Sequence, residues 1–566
     1  MKRFPLPLFI LIVLLTRAAV GQSPNGTISG LVLDPSGRAI LGAEVLIVND
    51  GTGVRYPGTT NGEGIYAIPS LPPGPYRIQV SKIGFKTLIK PDVVLNVQSA
   101  VAINFTLPVG AVSETLTVEG GAPLVNTESA TVSTVVDRQF AENLPLNGRS
   151  FQTLIQLTPG VVLTPSTDTD AGQFSTNGQR AASNYWMVDG VSANIGTSAF
   201  FQGNGFGGAL GSYSASGGTN SLVSVDALQE FRIQTSTYAP EFGRTPGAQI
   251  SIVTRSGTNQ FHGTAFDYLR NDALDANDWF ANSAGLPKPK ERQNDFGGTF
   301  SGPVLKDRTF FFFSYEGLRL RLPQVALTDV PSLGARQSAL PEVQPYLNAF
   351  PLPNGPSSGT DQAAYNASFS NKSTLDAYSI RIDHNLHGKV SFFGRYNYSP
   401  SEIIGRGNGE ALSELDPARI ATQTGTLGAT WIISPAATND LRFNYSRVNA
   451  SSSSELDDFG GAVPLSSLGL PNQFTSQNAN LFIDIFSLAN GSYQVGKRIR
   501  NLQRQFNFVD SLSIQRGSHS IKAGVDFRRL SPIFSPFLYG QQAFFGDVPS
   551  AEAGSLTDVA RNSVES

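Results

Sequence analysis

In the second half of the chain, apolar and polar side chains alternate at every position over long runs. Near residue 380 the apolar positions are Tyr378, Ile380 and Ile382. The positions between them are polar, namely Ser379, Arg381 and Asp383. A period of two residues places successive side chains on opposite faces of a β-strand. This half of the chain is therefore predicted to form strands with one apolar and one polar face.

The same alternation recurs in further segments. Their apolar faces are formed by Val390, Phe392, Tyr396 and Tyr398, by Leu427, Ala429, Trp431 and Ile433, by Leu441, Phe443 and Tyr445, and by Ile521, Ala523, Val525 and Phe527. Short turns join some neighbouring segments, and long polar stretches at about 322–374, 400–421 and 449–500 separate others. A soluble sandwich also alternates, but short turns at one end and long loops at the other are typical of outer-membrane barrels.

Aromatic residues lie near several predicted strand ends. They are Phe310 to Phe313, Tyr315, Tyr396, Tyr398 and Tyr445. Membrane barrels carry aromatic girdles at both lipid–water interfaces. We therefore predict a girdle here, with ordinary packing between strands as the alternative.

Composition favours a turn-rich, mainly β protein. The chain contains 57 Gly and 35 Pro, and only 15% of its residues are charged. Its formal net charge is −3 and no basic stripe stands out, so no nucleic-acid partner is predicted. Cysteine is absent, which excludes disulfides and leaves packing and strand pairing as the sources of stability.

The residues that carry catalysis in other proteins are missing or scattered. There is no Cys nucleophile, no G-x-S-x-G elbow and no phosphate-binding loop. His384 and His387 are close in sequence, but no carboxylate ligand set accompanies them beyond Asp383. The sequence therefore predicts no enzyme activity, no catalytic residue, no cofactor and no bound metal.

Residues 1–21 have the features of a secretory signal peptide. Lys2 and Arg3 form its basic end, residues 4–15 its apolar stretch, and Ala19-Val20-Gly21 a small-residue cleavage site. The apolar stretch is shorter than the roughly 20 residues that a membrane-spanning helix needs. Export is predicted, with cleavage after Gly21.

Residues 22–108 contain short alternating strands separated by turns. Buried positions are predicted at Ala43, Val45 and Ile47, at Tyr76, Ile78 and Val80, and at Val101, Ile103, Phe105 and Leu107. Such strands within some 80 residues indicate a small β-sandwich. A linker at 109–121 follows, in which Glu114, Thr115, Leu116, Thr117 and Val118 alternate. A short segment of this kind can add itself as an edge strand to the sheet of another protein.

Residues 122–255 are predicted to form a small α+β domain. A strand ends at Val136, a helix begins near Asp137, and a second helix near 149–157 is stopped by Pro159-Gly160. Asp189-Gly190 is predicted to be a tight turn. The polar sequence Ser-Gly-Thr-Asn at 256–259 then separates this domain from the long strands that start near Phe261.

Several strings resemble the plug-to-barrel junction of TonB-dependent outer-membrane receptors, in particular the Oar-like branch with an extra amino-terminal domain. They are "NGQR" with Arg180, "VDGV" with Asp189 and Gly190, "PGV" with Pro159 and Gly160, "EFGRTPGAQISIVTRSGTNQFHG" and "LRNDALDANDWF". The resemblance implies a plug domain at 122–255 and the first part of a transmembrane β-barrel at 256–566. It also implies that the Gly-rich stretch 203–218 is a plug loop near a ligand cavity, with a disordered surface loop as the alternative.

The resemblance further implies partners and a mechanism. The segment Glu114–Val118 is similar to the TonB box that such receptors offer to an energy-coupling protein. A ligand would bind the outer face of plug and loops, and pulling on this segment would open a path through the plug. The expected partners are a TonB-like protein, outer-membrane lipid and an unidentified ligand, and the expected location is the outer membrane with a periplasmic amino-terminal domain. Oligosaccharide, peptide and metal chelate all stay open as ligands.

The first unit is similar to the carboxypeptidase regulatory-like domain, which has a carbohydrate-binding-like fold. The matching positions are Gly30, Val32, Asp34, Gly37, Gly42, Ala43, Gly64, Tyr66, Gly74, Tyr76, Gly84 and Phe85. Sugar binding is one reading of this domain. A structural spacer is the other, because most of these positions are turn glycines and core aromatics.

The strand count predicts a sheet that does not close. About nine strands are predicted, from alternating runs near 262–270, 294–304, 309–321, 375–384, 389–399, 422–433, 439–448, 501–515 and 519–529. Bacterial single-chain barrels have even strand numbers, and plugged transporters have 22. The final residues also lack the terminal aromatic strand of such barrels. The expectation is an open, curved sheet from the amino-terminal part of a longer receptor.

A second function stays open at this point. The chain could be a non-transporting outer-membrane adhesin or scaffold that binds through its sandwich and long loops. Dependence of ligand uptake on the proton-motive force separates the two hypotheses.

Overall fold

The computed structural model describes residues 23–117, 131–138, 140, 152–163, 173–199, 207–239, 241–386, 388–517 and 519–563. The predicted signal peptide and Val118 lie outside these ranges. No helix in the described part of the chain is both long enough and apolar enough to span a membrane.

The amino-terminal domain is built from two sheets that enclose one apolar core. Its strands are β1 (Gly26–Leu33), β2 (Glu44–Asn49), β3 (Arg55–Thr59), β4 (Ile65–Leu71), β5 (Gly74–Ser81), β6 (Thr87–Leu95), β7 (Ala100–Ala102), β8 (Phe105–Thr106) and β9 (Thr115–Thr117). One sheet has the order β3-β2-β5-β6-β9, and the other has β4-β1-β7 with β8 beside β1. The alternation predicted for β2 and β5 is confirmed, because Val45, Ile47, Tyr76, Ile78 and Val80 are all buried in the shared core.

This core makes the domain a unit that is expected to fold alone. Tyr76 is fully buried and its ring contacts that of Tyr56. In the isolated piece 23–112, Tyr76→Ala is expected to lower the free energy of unfolding by about 3–5 kcal/mol, the range for deleting a buried aromatic ring. Ile83→Ala is the control, since Ile83 is 90% exposed. Equal losses in urea denaturation of the two variants would contradict the core assignment.

The second unit, here called the inner sheet unit, is mixed α and β. It contains β10 (Val132–Asp137), α1 (Gln152–Ile155), β11 (Val161–Leu163), β12 (Phe174–Thr176), β13 (Tyr185–Val188), β14 (Val191–Ser192), β15 (Leu228–Ser236) and β16 (Gln249–Thr254), with short 3-10 helices at Ala181–Ser183 and Val225–Ala227. The main sheet has the order β10-β15-β16-β13-β14, in which β13 and β16 are parallel. Every residue of β13 and β16 is buried, as in a sheet covered on both faces.

From residue 262 onward, the described residues form one large sheet of 14 strands. They are β17 (His262–Asn271), β18 (Arg292–Leu305), β19 (Thr309–Pro331), β20 (Ser357–Gly359), β21 (Gln362–Leu386), β22 (Val390–Arg406), β23 (Glu414–Ser434), β24 (Ala437–Leu456), β25 (Ala479–Ile485), β26 (Ser492–Arg516), β27 (His519–Leu530), β28 (Ile533–Pro536), β29 (Tyr539–Phe545) and β30 (Asp558–Ser563). Short helices lie between them: α2 (Trp279–Ser283), α3 (Leu333–Ser338), α4 (Gln344–Asn348), α5 (Val548–Glu552), and 3-10 turns at Asp272–Leu274 and Phe459–Gly461.

Among the described residues the large sheet is open, in agreement with the expectation, but the count of about nine strands is wrong. The nine predicted runs correspond to the long strands, and the five short strands β20, β25, β28, β29 and β30 were missed. The path of the sheet starts at β17, whose one strand neighbour among the described residues is β18, and runs through to β30. Pairing is antiparallel except between β25 and β29.

Side-chain exposure confirms the two predicted faces of the long strands. On β21, Tyr378, Ile380 and Ile382 are 41–48% exposed. Arg381 on the same strand has a side chain only 13% exposed and points toward the inner sheet unit. The apolar face is therefore the outer one, as in a barrel that lies in lipid.

Two details differ from the sequence-based expectation. The long polar segments predicted as loops are in large part strand, because β19 and β21 remain paired as far as Pro331 and Gln362. Apolar and polar side chains alternate only where the strands carry the apolar outer face, whereas the backbones of neighbouring strands stay paired beyond that part. The prediction of an aromatic girdle is also wrong in part, because Phe310 and Phe312 are 1% exposed and face inward. Phe312 packs in the core of the inner sheet unit.

Candidate functional site

The turn between β13 and β14 carries the carboxylate on which the site is centred. Asp189 has φ +51° and Gly190 has φ +82°, which confirms the predicted tight turn. Aspartate tolerates this left-handed region better than most residues. A Cβ on Gly190 would lie 2.6 Å from Cδ of Pro24. Glycine therefore lets the turn approach the start of the amino-terminal domain.

Asp189 joins the inner sheet unit to the large sheet. It is 2% exposed and accepts hydrogen bonds from the backbone N–H of Thr254 at 3.0 Å and from the Thr254 hydroxyl at 2.9 Å. Nη1 of Arg381 on β21 lies 3.1 Å from its Oδ1, and Nη1 of Arg395 on β22 lies 3.9 Å from its Oδ2. Arg381 also binds Asp383 at 2.8 Å. Two arginines and two carboxylates thus balance each other in a buried network.

Further hydrogen bonds fix the inner sheet unit against the polar face of the large sheet. Nη2 of Arg395 donates to the carbonyl of Leu222 at 2.8 Å. Nε2 of Gln505 donates to the carbonyl of Ser192 at 2.8 Å. Oδ1 of Asn507 accepts from the backbone N–H of Ser192 at 2.8 Å. The inner unit is therefore held by side chains that bond its backbone.

The amino-terminal domain meets both other units at the same end. The hydroxyl of Ser23 donates to Asp440 on β24 at 3.1 Å, and Ser70 and Thr438 share a hydrogen bond of 3.2 Å. A cavity of about 300 Å³ lies where the three units meet, lined by Tyr56 and Arg381 among others.

The amino-terminal domain also contacts β15 of the inner unit. Nη1 of Arg232 donates to the carbonyls of Val97 at 3.1 Å and Gln98 at 2.7 Å. The carboxylate of Glu230 accepts from the backbone N–H of Val97. Burial, opposed by that hydrogen bond, raises the pKa of Glu230 to about 8.

The stability of the protein is therefore expected to depend on pH through Glu230. The ordinary pKa is 4.5, so between pH 4.5 and 8 the folded chain holds a proton that the unfolded chain has lost. This stabilisation is complete below pH 4.5 and is lost as the pH rises through 8. Glu230→Gln should melt at a higher temperature than the parent at pH 8, and at a similar temperature at pH 4.5. The exposed Glu63→Gln serves as control, and parallel melting profiles for parent and Glu230→Gln would refute the expectation.

Of the predicted coupling segment Glu114–Val118, the structure describes Glu114–Thr117, and the strand β9 covers Thr115–Thr117. β9 pairs in parallel with β6, with Thr115 opposite Thr87, Leu116 opposite Leu88 and Thr117 opposite Ile89. All three β9 residues are exposed. The strand character agrees with the prediction, but the segment is docked on its own amino-terminal domain.

The remaining predicted site residues lie elsewhere. Pro159, Gly160 and Arg180 are exposed, whereas Asp189 and Gly190 are buried. Gly160 has φ +81°, and a Cβ there would lie 2.2 Å from Oδ1 of Asn177. These residues shape turns of the inner unit.

Sequence reasoning missed the partners of Asp189 on the large sheet. It placed Arg381 on a polar face and assigned no partner to it. A usable signal exists: Arg381 and Arg395 occupy polar positions near the short turn at 387–389 that joins their two strands. Arginine on an inward face requires a buried partner.

Among the residues that the structure describes, one group of carboxylates has metal-ligand spacing. One oxygen from each of Glu410, Glu414 and Asp416 lies within 4.8 Å of the others. Oxygen ligands of this type suit a hard divalent cation. Protein groups bond part of the cluster, since Arg498 binds Asp416 at 3.1 Å and the N–H of Gln494 donates to Glu414 at 2.7 Å. Oδ2 of Asp416 is buried without a hydrogen-bond partner among the described residues.

The structure describes one of the two histidines, His384 and His387, that are close in sequence. His384 bonds Oγ1 of Thr309 through Nδ1 at 2.8 Å. His387 lies outside the described residues.

Comparison with known proteins identifies two regions. Residues 253–345 and 335–565 match the family model described as outer membrane beta barrel domain. Residues 27–108 match the carboxypeptidase regulatory-like domain. Both matches confirm resemblances inferred from the sequence.

Among curated proteins, the chain is similar to the TonB-dependent transporter Oar of Myxococcus xanthus. The two are 30% identical over 312 residues, which is 53% of this chain and 27% of that protein. The chain thus spans about a quarter of the length of this relative.

The solved structures to which the chain is similar include outer-membrane proteins. The outer membrane transporter YddB from Escherichia coli gives a TM-score of 0.48 at 12% identity, covering 76% of this chain and 52% of that chain. The siderophore receptor PirA from Acinetobacter baumannii gives 0.42 at 13% identity, covering 71% and 48%.

Proposed function

The chain belongs to the outer membrane β-barrel family, and from this premise we propose that it acts as a TonB-dependent outer-membrane transporter. The similarity to Oar, a transporter, supports transport rather than catalysis. The observation that carries the proposal is the buried contact of Asp189 with Arg381 and Arg395. It ties an enclosed inner domain to the wall of a barrel-type sheet, as a plug requires.

The domain boundaries follow from this assignment. Residues 1–21 are a signal peptide, 22–108 the carboxypeptidase regulatory-like domain, 109–121 a linker, 122–255 the plug and 256–566 barrel strands. The short connections at 306–308, 387–389, 435–436 and 517–518 lie at one end of the strands. Short turns face the periplasm in outer-membrane barrels.

The amino-terminal domain lies at this same end, which supports a periplasmic position for it. Nδ2 of Asn61 donates to the carbonyl of Gly517 in one short turn. Nδ2 of Asn259 donates to the carbonyl of Thr52 and to Asp307 in another. The apolar outer face of the long strands contacts lipid.

The coupling step uses Glu114–Val118. A TonB-like protein pairs with this segment as an added strand and pulls on the linker that leads into the plug. The pull breaks the contacts of Asp189 and opens a path for a ligand bound on the outer side. Because Tyr66 and Tyr76 are buried, the aromatic positions that define the amino-terminal domain serve its core, which favours a spacer over a sugar-binding module.

The test is a ligand screen followed by an uptake assay. Purified protein is screened against labelled oligosaccharides, peptides and metal chelates, and the compound that binds is offered to cells that express the chain. A transporter takes the compound up, and a protonophore abolishes uptake while binding persists. Binding to the cell surface that is never followed by energy-dependent uptake would identify an adhesin or scaffold.

A further inference from the structure

Three carboxylates approach one another at the end of the large sheet that lies opposite its short turns. Glu410 belongs to the connection 407–413, and Glu414 and Asp416 belong to the start of β23. Strand β22 runs from the short turn at 387–389 to this connection, so the two connections lie at opposite ends of the strand. One oxygen from each carboxylate lies within 4.8 Å of the others. The fold therefore gathers three acidic groups at one point.

Each carboxylate has one oxygen that the protein holds in place. Gln494 on β26 bonds both glutamates, because its Nε2 donates to Oε1 of Glu410 at 2.8 Å and its backbone N–H donates to Oε2 of Glu414 at 2.7 Å. The hydroxyl of Ser454 on β24 donates to Oδ1 of Asp416 at 2.6 Å. Hydrogen bonds of this kind orient carboxylate ligands in metal sites. The three side chains are therefore positioned by the protein itself.

The other oxygen of each carboxylate is buried and has no hydrogen-bond partner among the described residues. These atoms are Oε2 of Glu410, Oε1 of Glu414 and Oδ2 of Asp416. Glu414 and Asp416 are each 0% exposed. Burial of a charged oxygen without a partner is costly, so atoms of this kind indicate a bound ion or an ordered water. Three of them in one cluster point to a cation.

The charge balance of the cluster fits one divalent cation. Nη1 of Arg498 lies 3.1 Å from Oδ1 of Asp416, and no other Lys or Arg in the described part of the chain forms an ion pair with the three carboxylates. Three carboxylates and one guanidinium leave two negative charges in a buried place. An uncompensated buried charge is strongly unfavourable, and one divalent cation neutralises both.

We propose that Glu410, Glu414 and Asp416 bind a calcium ion. Calcium takes oxygen ligands at about 2.3–2.6 Å, so two ligands on opposite sides of the ion are about 4.6–5.2 Å apart. Three oxygens within 4.8 Å of one another can therefore share one calcium ion. Magnesium keeps several waters and usually takes one or two carboxylates, which favours calcium. The inference goes beyond transport and does not depend on which ligand is transported.

Calcium would have a structural task at this end of the sheet. It joins the connection 407–413 to the start of β23, because Glu410 lies on the first and Glu414 and Asp416 lie on the second. Removal of the ion leaves the three acidic groups facing one another, so the chain is expected to be less stable without calcium. The prediction of no bound metal rested on histidine spacing and did not consider these carboxylates.

Calcium binding by the purified chain tests the site. The chain is treated with a chelator and titrated with calcium chloride, while bound calcium and the unfolding temperature are measured. We expect a dissociation constant of roughly 10⁻⁴–10⁻³ M, as in extracellular calcium modules. The unfolding temperature should rise, because an ion that binds only the folded chain stabilises it. Magnesium chloride at the same concentration controls for ionic strength, and an equal rise with magnesium would overturn the assignment to calcium.

Glu414→Gln removes one charge of the site and is expected to preserve the fold. Its amide oxygen can still accept the hydrogen bond from the backbone N–H of Gln494. Calcium affinity should fall at least about tenfold, because ligand charge sets the affinity of such sites. Glu410→Gln is the second variant, with the same expected loss. Glu455→Gln is the matched control, since Glu455 is an exposed carboxylate on β24 next to Ser454, and it should bind calcium as the parent does.

Two results would overturn the calcium site. One is a parent chain that binds no calcium and does not change its unfolding temperature. The other is equal calcium binding by the parent and by Glu414→Gln or Glu410→Gln. A higher unfolding temperature for Glu414→Gln than for the parent, with no effect of calcium on either, would identify a proton shared between carboxyl groups in place of the ion.

Discussion

Asp189→Ala is expected to loosen the plug from the barrel wall and to lower the free energy of unfolding by about 3–5 kcal/mol, the cost of breaking a buried ion pair by removing one partner. The substitution leaves Arg381 and Arg395 near each other without their shared carboxylate. It also removes the acceptor of the buried Thr254 N–H. Both effects act on groups with little access to water, since the side chains of Arg381, Arg395 and Asp189 are 13%, 3% and 2% exposed.

Two measurements follow the effect of Asp189→Ala. Limited proteolysis of the purified protein should cut the plug faster than in the parent, and thermal unfolding should begin at a lower temperature. Asp189→Asn keeps an acceptor for the Thr254 N–H but removes the charge. Its rate of proteolysis and its unfolding temperature should therefore lie between those of the parent and of Asp189→Ala. Asp267→Ala is the control, because Asp267 is an exposed carboxylate on β17. Unchanged proteolysis in Asp189→Ala would show that the plug is held by other contacts.

Leu116→Pro is expected to abolish energy-coupled uptake while outer-membrane assembly and ligand binding stay at the parental level. Proline has no N–H and restricts φ to about −65°, so the segment can no longer donate at this position in a strand pair. The substitution lies on an exposed strand away from the domain core. Folding of the domain is therefore not expected to suffer.

A second variant separates the contribution of the Leu116 side chain from that of its backbone N–H. Leu116→Ala retains the N–H and should keep most of the uptake, because β-augmentation draws its affinity from main-chain hydrogen bonds. Uptake in Leu116→Pro at the parental level would reject Glu114–Val118 as the coupling strand.

The sequence predicted the strands well because lipid and an enclosed polar interior impose opposite demands on their two faces. Ile380 and Arg381 are neighbours in the chain and have opposite surroundings. Strand ends were predicted less well. Beyond the apolar band, β19 continues as far as Pro331, and β21 begins as early as Gln362. Backbone pairing in these parts does not require apolar and polar side chains to alternate.

The sequence predicted only those features of the site that depend on residues adjacent in the chain. The turn at Asp189-Gly190 follows from residue chemistry, since a left-handed pair suits Asp and Gly. Its ion pairs with Arg381 and Arg395 join residues about 200 positions apart, and no local pattern specifies them. The edge on which β9 lies was missed for the same reason. A segment of high β-propensity indicates a strand, but its partner depends on which neighbouring edge is open.

The most direct test of TonB coupling is a disulfide crosslink in living cells. The parent has no cysteine, so Leu116→Cys carries a single thiol, to be combined with single cysteines along the pairing strand of the TonB-like protein. We expect a crosslinked product in the outer-membrane fraction that increases when the ligand from the screen is present. Uptake of this ligand without a crosslink from any position in 114–117 would reject TonB coupling through this segment.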